Sequence, residues 1–142
     1  VLLFPLSLRI DGSPNMLVRT ITSLNEENDS MTFAGDMPVG SRVRMMTTDV
    51  DKLVNAAAEA ARDAAETFHS KAPELTLIVS CIGRKMILKG RCEEEVAAVR
   101  RIVGPDASIA GFYSYGELSP FKGANHCDLH NQSMTITTLS ES

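Results

Sequence analysis

Three clusters in this 142-residue chain carry side chains able to do chemistry. The first is Gly111-Phe112-Tyr113-Ser114-Tyr115-Gly116-Glu117, read as one strand over Ile109 to Glu117. Side chains alternate across a strand, which places Gly111, Tyr113, Tyr115 and Glu117 on one face. These are the only two tyrosines in the chain, and they lead to a carboxylate. Glycines on either side remove bulk where a ligand or second backbone would approach. Two hydroxylated rings ending in an acid suit a small polar ligand. A half-exposed strand whose tyrosines cover the sheet with wet hydroxyls accounts for the same pattern.

The second cluster, Ser80-Cys81-Ile82-Gly83-Arg84, ends an apolar run. Arg84 follows a flexible glycine, which suits a guanidinium aimed at a carboxylate. A surface arginine at a strand end is the plainer reading. Cys81 reads either as a small inert hydrophobe or as a nucleophile with His130 as base. Arg84 and Glu117 facing one cavity would receive a zwitterion, the guanidinium on its carboxylate and the acid on its ammonium group.

The third cluster is Asn125-His126-Cys127-Asp128-Leu129-His130-Asn131. Its imidazoles, thiol and carboxylate invite a metal, but the spacing fits no closed zinc pattern. A polar strand start, with His130 and Asn131 bonding across the sheet, is the alternative. The candidate ligand-binding residues are therefore Arg84, Tyr113, Tyr115, Glu117, His130 and Asn131. No catalytic residue, metal ligand or cofactor is assigned. The chain has no glycine-rich phosphate loop, no Gly-x-Ser-x-Gly and no His-Glu-x-x-His.

Composition narrows the classes. Hydrophobic residues make up 44% and charged residues 23%, which describes a globular domain rather than a disordered one. Net charge is −4 with no basic run, which argues against a nucleic-acid partner. No apolar stretch approaches the roughly 20 residues of a membrane helix, so no membrane insertion is expected. Three irregularly spaced cysteines imply free thiols and a reducing cytoplasm. Seven methionines serve either as core filling or as adaptable packing at an interface.

The elements that must position these clusters begin with strands. Leu2 to Arg9 is followed by the turn residues Asp11-Gly12-Ser13-Pro14, and Leu17 to Thr22 is rich in β-branched residues. Asn25 to Asp29 forms a polar turn into Ser30 to Phe33, a hairpin, and Arg42 to Met46 is a further strand. A long helix, capped at Thr48, runs to about His69 on an alanine-rich face. Leu75 to Ile82 reads as a central strand broken by Gly83. Glu93-Glu94-Glu95 opens a shorter helix ended by Gly104-Pro105, and Ser133 to Leu139 closes the chain as a strand. The expected fold is one α+β domain over residues 1–142, a mostly antiparallel sheet with one long and one short helix packed on it.

The clusters, in this order, sit among further motifs: Arg19-Thr20, Phe33-Ala34-Gly35-Asp36-Met37-Pro38-Val39-Gly40, Glu94-Glu95-Val96 and Leu129-His130-Asn131-Gln132-Ser133-Met134-Thr135. Together they make the chain resemble the C-terminal half of the FIST domain, named for F-box and intracellular signal transduction proteins. Where that family usually has Asn-Gln-Thr, this chain has Asn131-Gln132-Ser133, which keeps the hydroxyl. The resemblance implies a cytoplasmic input module that senses small ligands, amino acids or related metabolites, and reports to a signalling output domain. It also implies a fragment whose N-terminal half is absent and would be its partner. No catalytic residues come with the family. A module that only docks another protein, with no small ligand, is the second reading, and a Cys- or metal-dependent enzyme the third.

Overall fold

The computed structural model describes residues 2–9, 15–66, 72–121 and 124–141. Strand β1 (Leu6–Arg9) lies between β2 (Met16–Arg19) and β5 (Val43–Met45), all antiparallel. Thr20 interrupts the expected single strand, and β3 (Ile21–Asn25) then pairs with β4 (Ser30–Phe33) as the anticipated hairpin. The turn expected at 11–14 lies outside the described residues.

Helix α1 spans Val50–Ala65. Its cap is Asp49 rather than Thr48: the Asp49 carboxylate accepts the Lys52 N–H at 2.8 Å. A carboxylate at that position also faces the positive end of the helix dipole, which a threonine hydroxyl cannot exploit to the same degree. The expected extension over 67–69 lies outside the described residues.

Strand β6 (Leu75–Cys81) is central, antiparallel to β10 (Met134–Leu139) and parallel to β7 (Ser108–Ser114). Between β6 and β7 runs an almost continuous helical segment. It consists of α2 (Ile82–Leu88), a 3-10 turn at Lys89–Arg91, and α3 (Cys92–Val103). In the sequence reading the strand ends at Gly83. Instead the chain passes directly from Cys81 into α2, a third helix hidden from sequence because its first turn continues the apolar run.

The expected strand from Ile109 to Glu117 is likewise two. Strand β7 ends at Ser114, and β8 (Glu117–Ser119) turns away to pair with β9 (Asp128–His130). The architecture is α+β and dominated by antiparallel pairing, with β6–β7 the one parallel pair among the described strands.

The main core joins Ala57 and Ala61 of α1, Val99 and Val103 of α3, Ile78 of β6 and Met134 of β10. Alanines on α1 let the helix come close to its neighbours without large side chains intervening. A second cluster of Leu53, Ile87 and Leu88 seats α2 beneath the start of α1, with Leu2 packed against it.

Candidate functional site

The ends of β6 and the starts of α1 and α2 surround a half-open cleft of about 850 Å³. One wall is Thr20, Ile21 and Thr22, another is Val50, Ile82, Met86 and Ile87, and Leu2 and Leu3 form part of the rim. Cys81, Gly83, Tyr115 and Asn131 also line it. A Cβ on Gly83 would stand 3.3 Å from Gln132 Cγ, so glycine lets these two segments meet there. The lining is mostly apolar with a few convergent polar groups, the usual chemistry of a small-molecule site.

Asn131 is the polar hinge of the cleft. Its Oδ1 accepts the Thr20 backbone N–H at 3.2 Å, and its Nδ2 donates to the His130 carbonyl at 3.2 Å. This joins β2–β3 to β9 across 111 positions of sequence. Thr20 itself is only 6% exposed, yet its hydroxyl Oγ1 has no hydrogen-bond partner among the described residues. A buried hydroxyl without a partner is costly by about 1–3 kcal/mol unless something supplies one.

Two of the six residues singled out from sequence, Tyr115 and Asn131, line this cleft. The other four lie elsewhere. Arg84 is 2% exposed and donates from both Nε and Nη2 to Glu95 Oε2, at 3.1 and 2.9 Å. Its Nη2 also donates to the Leu53 carbonyl at 2.8 Å. Tyr113 donates its hydroxyl to Glu95 Oε1 at 2.9 Å, and Ser80 donates to the same oxygen at 3.2 Å. Lys85 Nζ rests 5.0 Å above the Tyr113 ring.

Glu117 is buried on its own, with Ser114 Oγ donating to Oε1 and Ser133 Oγ to Oε2, each at 2.6 Å. His130 places Nε2 2.9 Å from the Ser119 carbonyl and meets the edge of Phe121. Arg84 and Glu117 therefore do not face a shared cavity. Each is held in a separate buried network, and the two tyrosines do not form one wall. The break at Tyr115–Gly116 separates them: Tyr113 turns toward Glu95, while Tyr115 is 89% exposed at the cleft.

The remaining polar candidates have local roles. Cys81 Sγ accepts the backbone N–H groups of Gly83 and Gln132, but burial dominates and pushes its thiol up. His126 Nε2 stands 3.3 Å from Asp128 Oδ2, and no group of three metal-ligating side chains occurs among the described residues. Arg19 holds three carbonyls, those of Val18, Leu129 and Asp36, and burial pulls its guanidinium down against the nearby Asp36 and Asp128 charges. Arg19 and Thr20 are structural and cleft residues that sequence reading placed in a family motif but not in the site. The signal available was a polar Arg-Thr pair at the end of an otherwise apolar strand.

Fold and cleft together define an α+β module with a cleft at strand ends. The FIST C domain family model matches residues 1–120, and the chain belongs to that family. The family is one of sensory domains in signal transduction. The Asn131-Gln132-Ser133 motif lies beyond the matched span. No curated protein and no solved structure matches the chain. No helix among the described residues is long and apolar enough to cross a membrane.

Proposed function

We propose that this domain is the ligand-sensing input of an intracellular signalling protein and that the ligand occupies the cleft between β6, α1 and α2. The observation that carries this reading is the unpartnered Thr20 hydroxyl, buried in the wall of an otherwise apolar cleft of about 850 Å³. A ligand with an apolar body would fill the space, and a small shift of the wall would let one hydrogen-bonding group reach that hydroxyl, which presents no open surface to the cleft as it stands. Amino acids with apolar side chains, and their derivatives, are the first candidates. Recognition of their charged ends cannot come from Arg84 or Glu117 as they stand, because both are already engaged.

A binder rather than an enzyme is the reading the site chemistry favours. Cys81 is buried with its thiol pushed up, the reverse of an activated nucleophile, which needs a depressed pKa. His130 is occupied by the Ser119 carbonyl and Phe121.

The test is a thermal-shift screen of amino acids and related metabolites on the protein and on Thr20→Val, which removes the hydroxyl at nearly constant shape. A true ligand at a hundredfold excess over its Kd contributes about 2.7 kcal/mol of stability. The same compound should bind Thr20→Val roughly tenfold more weakly, the worth of one hydrogen bond. A library in which nothing moves the melting temperature would remove the reading.

A further inference from the structure

The outer edge of β7 has no strand partner among the described residues: its one hydrogen-bonded neighbour is β6. An unpaired edge offers a row of N–H and C=O groups that another strand can complete. Protein edges of this length are ordinarily blunted by lysine, proline or a bulge. Strand β7, Ser-Ile-Ala-Gly-Phe-Tyr-Ser over Ser108–Ser114, carries no charge and no proline, and its register with β6 is unbroken over all seven residues.

The face beside this edge is open as well. Ile109 packs into the core and Tyr113 reaches Glu95, which puts Ala110 and Phe112 on the face away from the helices. Phe112 is 66% exposed there, next to its register partner Val79, and Ala110 sits beside Leu77, itself 38% exposed.

The sequence of β7 also specifies what can pair with it. Antiparallel pairing with an identical strand about Gly111 sets Ala110 opposite Phe112, Ile109 opposite Tyr113, and Ser108 opposite Ser114. Each pairing joins a large residue to a small one, an aromatic to a β-branched one, or two hydroxyls. These are favourable cross-strand neighbours, and no like charges meet. Gly111 on the two-fold axis faces its own copy with no side chain to obstruct approach. A surface that matches itself under a two-fold rotation is what an isologous dimer requires.

We propose that β7 is a homodimerisation edge, two copies pairing antiparallel about Gly111 to make one continuous six-stranded sheet. The pairing uses the outer edge of β7, and no residue of β7 itself lines the cleft.

Sedimentation velocity of the full chain over a range of concentrations tests this. Assembly to twice the 15.4 kDa chain mass is expected. Ala110→Lys combined with Phe112→Lys sets lysines opposite one another and should return the protein to single-chain mass, with an unaltered circular dichroism spectrum. Ala110→Lys combined with Phe112→Glu sets unlike charges opposite and should retain the doubled mass. A wild type of single-chain mass throughout overturns the proposal, and would leave β7 to a strand of some other chain. A folded double-lysine variant that still doubles its mass overturns it too, by moving the contact elsewhere.

Discussion

Arg84 places two nitrogens on a single oxygen of Glu95, leaving the other carboxylate oxygen to Ser80 and Tyr113. Both residues are almost wholly inaccessible. Through the Leu53 carbonyl the same guanidinium also holds α1, so one buried pair fastens α1, α2, α3, β6 and β7. Removing either partner would strand a charge in the interior. Arg84→Ala or Glu95→Ala is expected to lose about 3–5 kcal/mol in urea unfolding. Arg84→Met with Glu95→Leu should lose much less than the two single losses added together. Additive losses would show that the two side chains act independently.

Tyr113 gives the network a pH signature. Burial, then its hydrogen bonds to Cys92 and Glu95, push the Tyr113 hydroxyl well above the ordinary phenol range. Its contribution to stability is present in full below the unfolded value of about 10 and declines as the pH rises beyond it, because the unfolded chain releases the proton first. Thermal unfolding across the alkaline range should show this loss, and Tyr113→Phe should flatten it. At neutral pH Tyr113→Phe should lose about 1–2 kcal/mol, since Glu95 Oε1 forfeits a donor.

Gly111 is a close-approach position. A Cβ there would fall onto the Ile78 carbonyl oxygen across the β6–β7 pair. Gly111→Ala is expected to destabilise the domain by about 1–3 kcal/mol, because the added methyl forces β6 and β7 apart. Chemical denaturation would check it. An Ala variant as stable as the parent would mean that β7 shifts outward freely.

Asp49 predicts an acid-side effect of opposite sign to that of Tyr113. The Lys52 backbone N–H, then its side chain, hold the Asp49 carboxyl below its usual value. The stabilisation is complete above the unfolded carboxylate range and fades as the pH falls toward the folded value. Asp49→Ala should lower the melting temperature at neutral pH, while Asp49→Asn should keep a cap but lose the acid dependence. Melting curves from mild to strong acid distinguish the two.

Much of this fold was legible because hydrophobic period and turn chemistry are local. The buried run Leu75 to Cys81 and the Asn25–Asp29 hairpin turn depend on neighbours within a few residues, as do the acid-led helix at Glu93 and its Gly104 stop. What stayed hidden depends on contacts between distant segments. Helix α2 looked like a broken strand because Ile82 extends the apolar pattern before Arg84 finds Glu95. Tyr113 and Tyr115 looked like a shared face because nothing local announces that β8 will leave to pair with β9. Tyr115 and Asn131, named by residue type, line the cleft, whereas Thr20 was not named because an orphaned hydroxyl is a property of three-dimensional neighbours.

The Gln132 side chain donates to the Leu2 carbonyl at 2.9 Å, 130 positions away, from a backbone bent to a φ of 54°. Leu2 and Leu3 are also rim residues of the cleft, and Gln132 leads into β10 beside central β6. The Gln132 amide thus ties the rim of the cleft to the start of β10, beside the packing of Leu2 on the α1–α2 cluster. A ligand that moved the rim would, through that link, move the start of β10 as well.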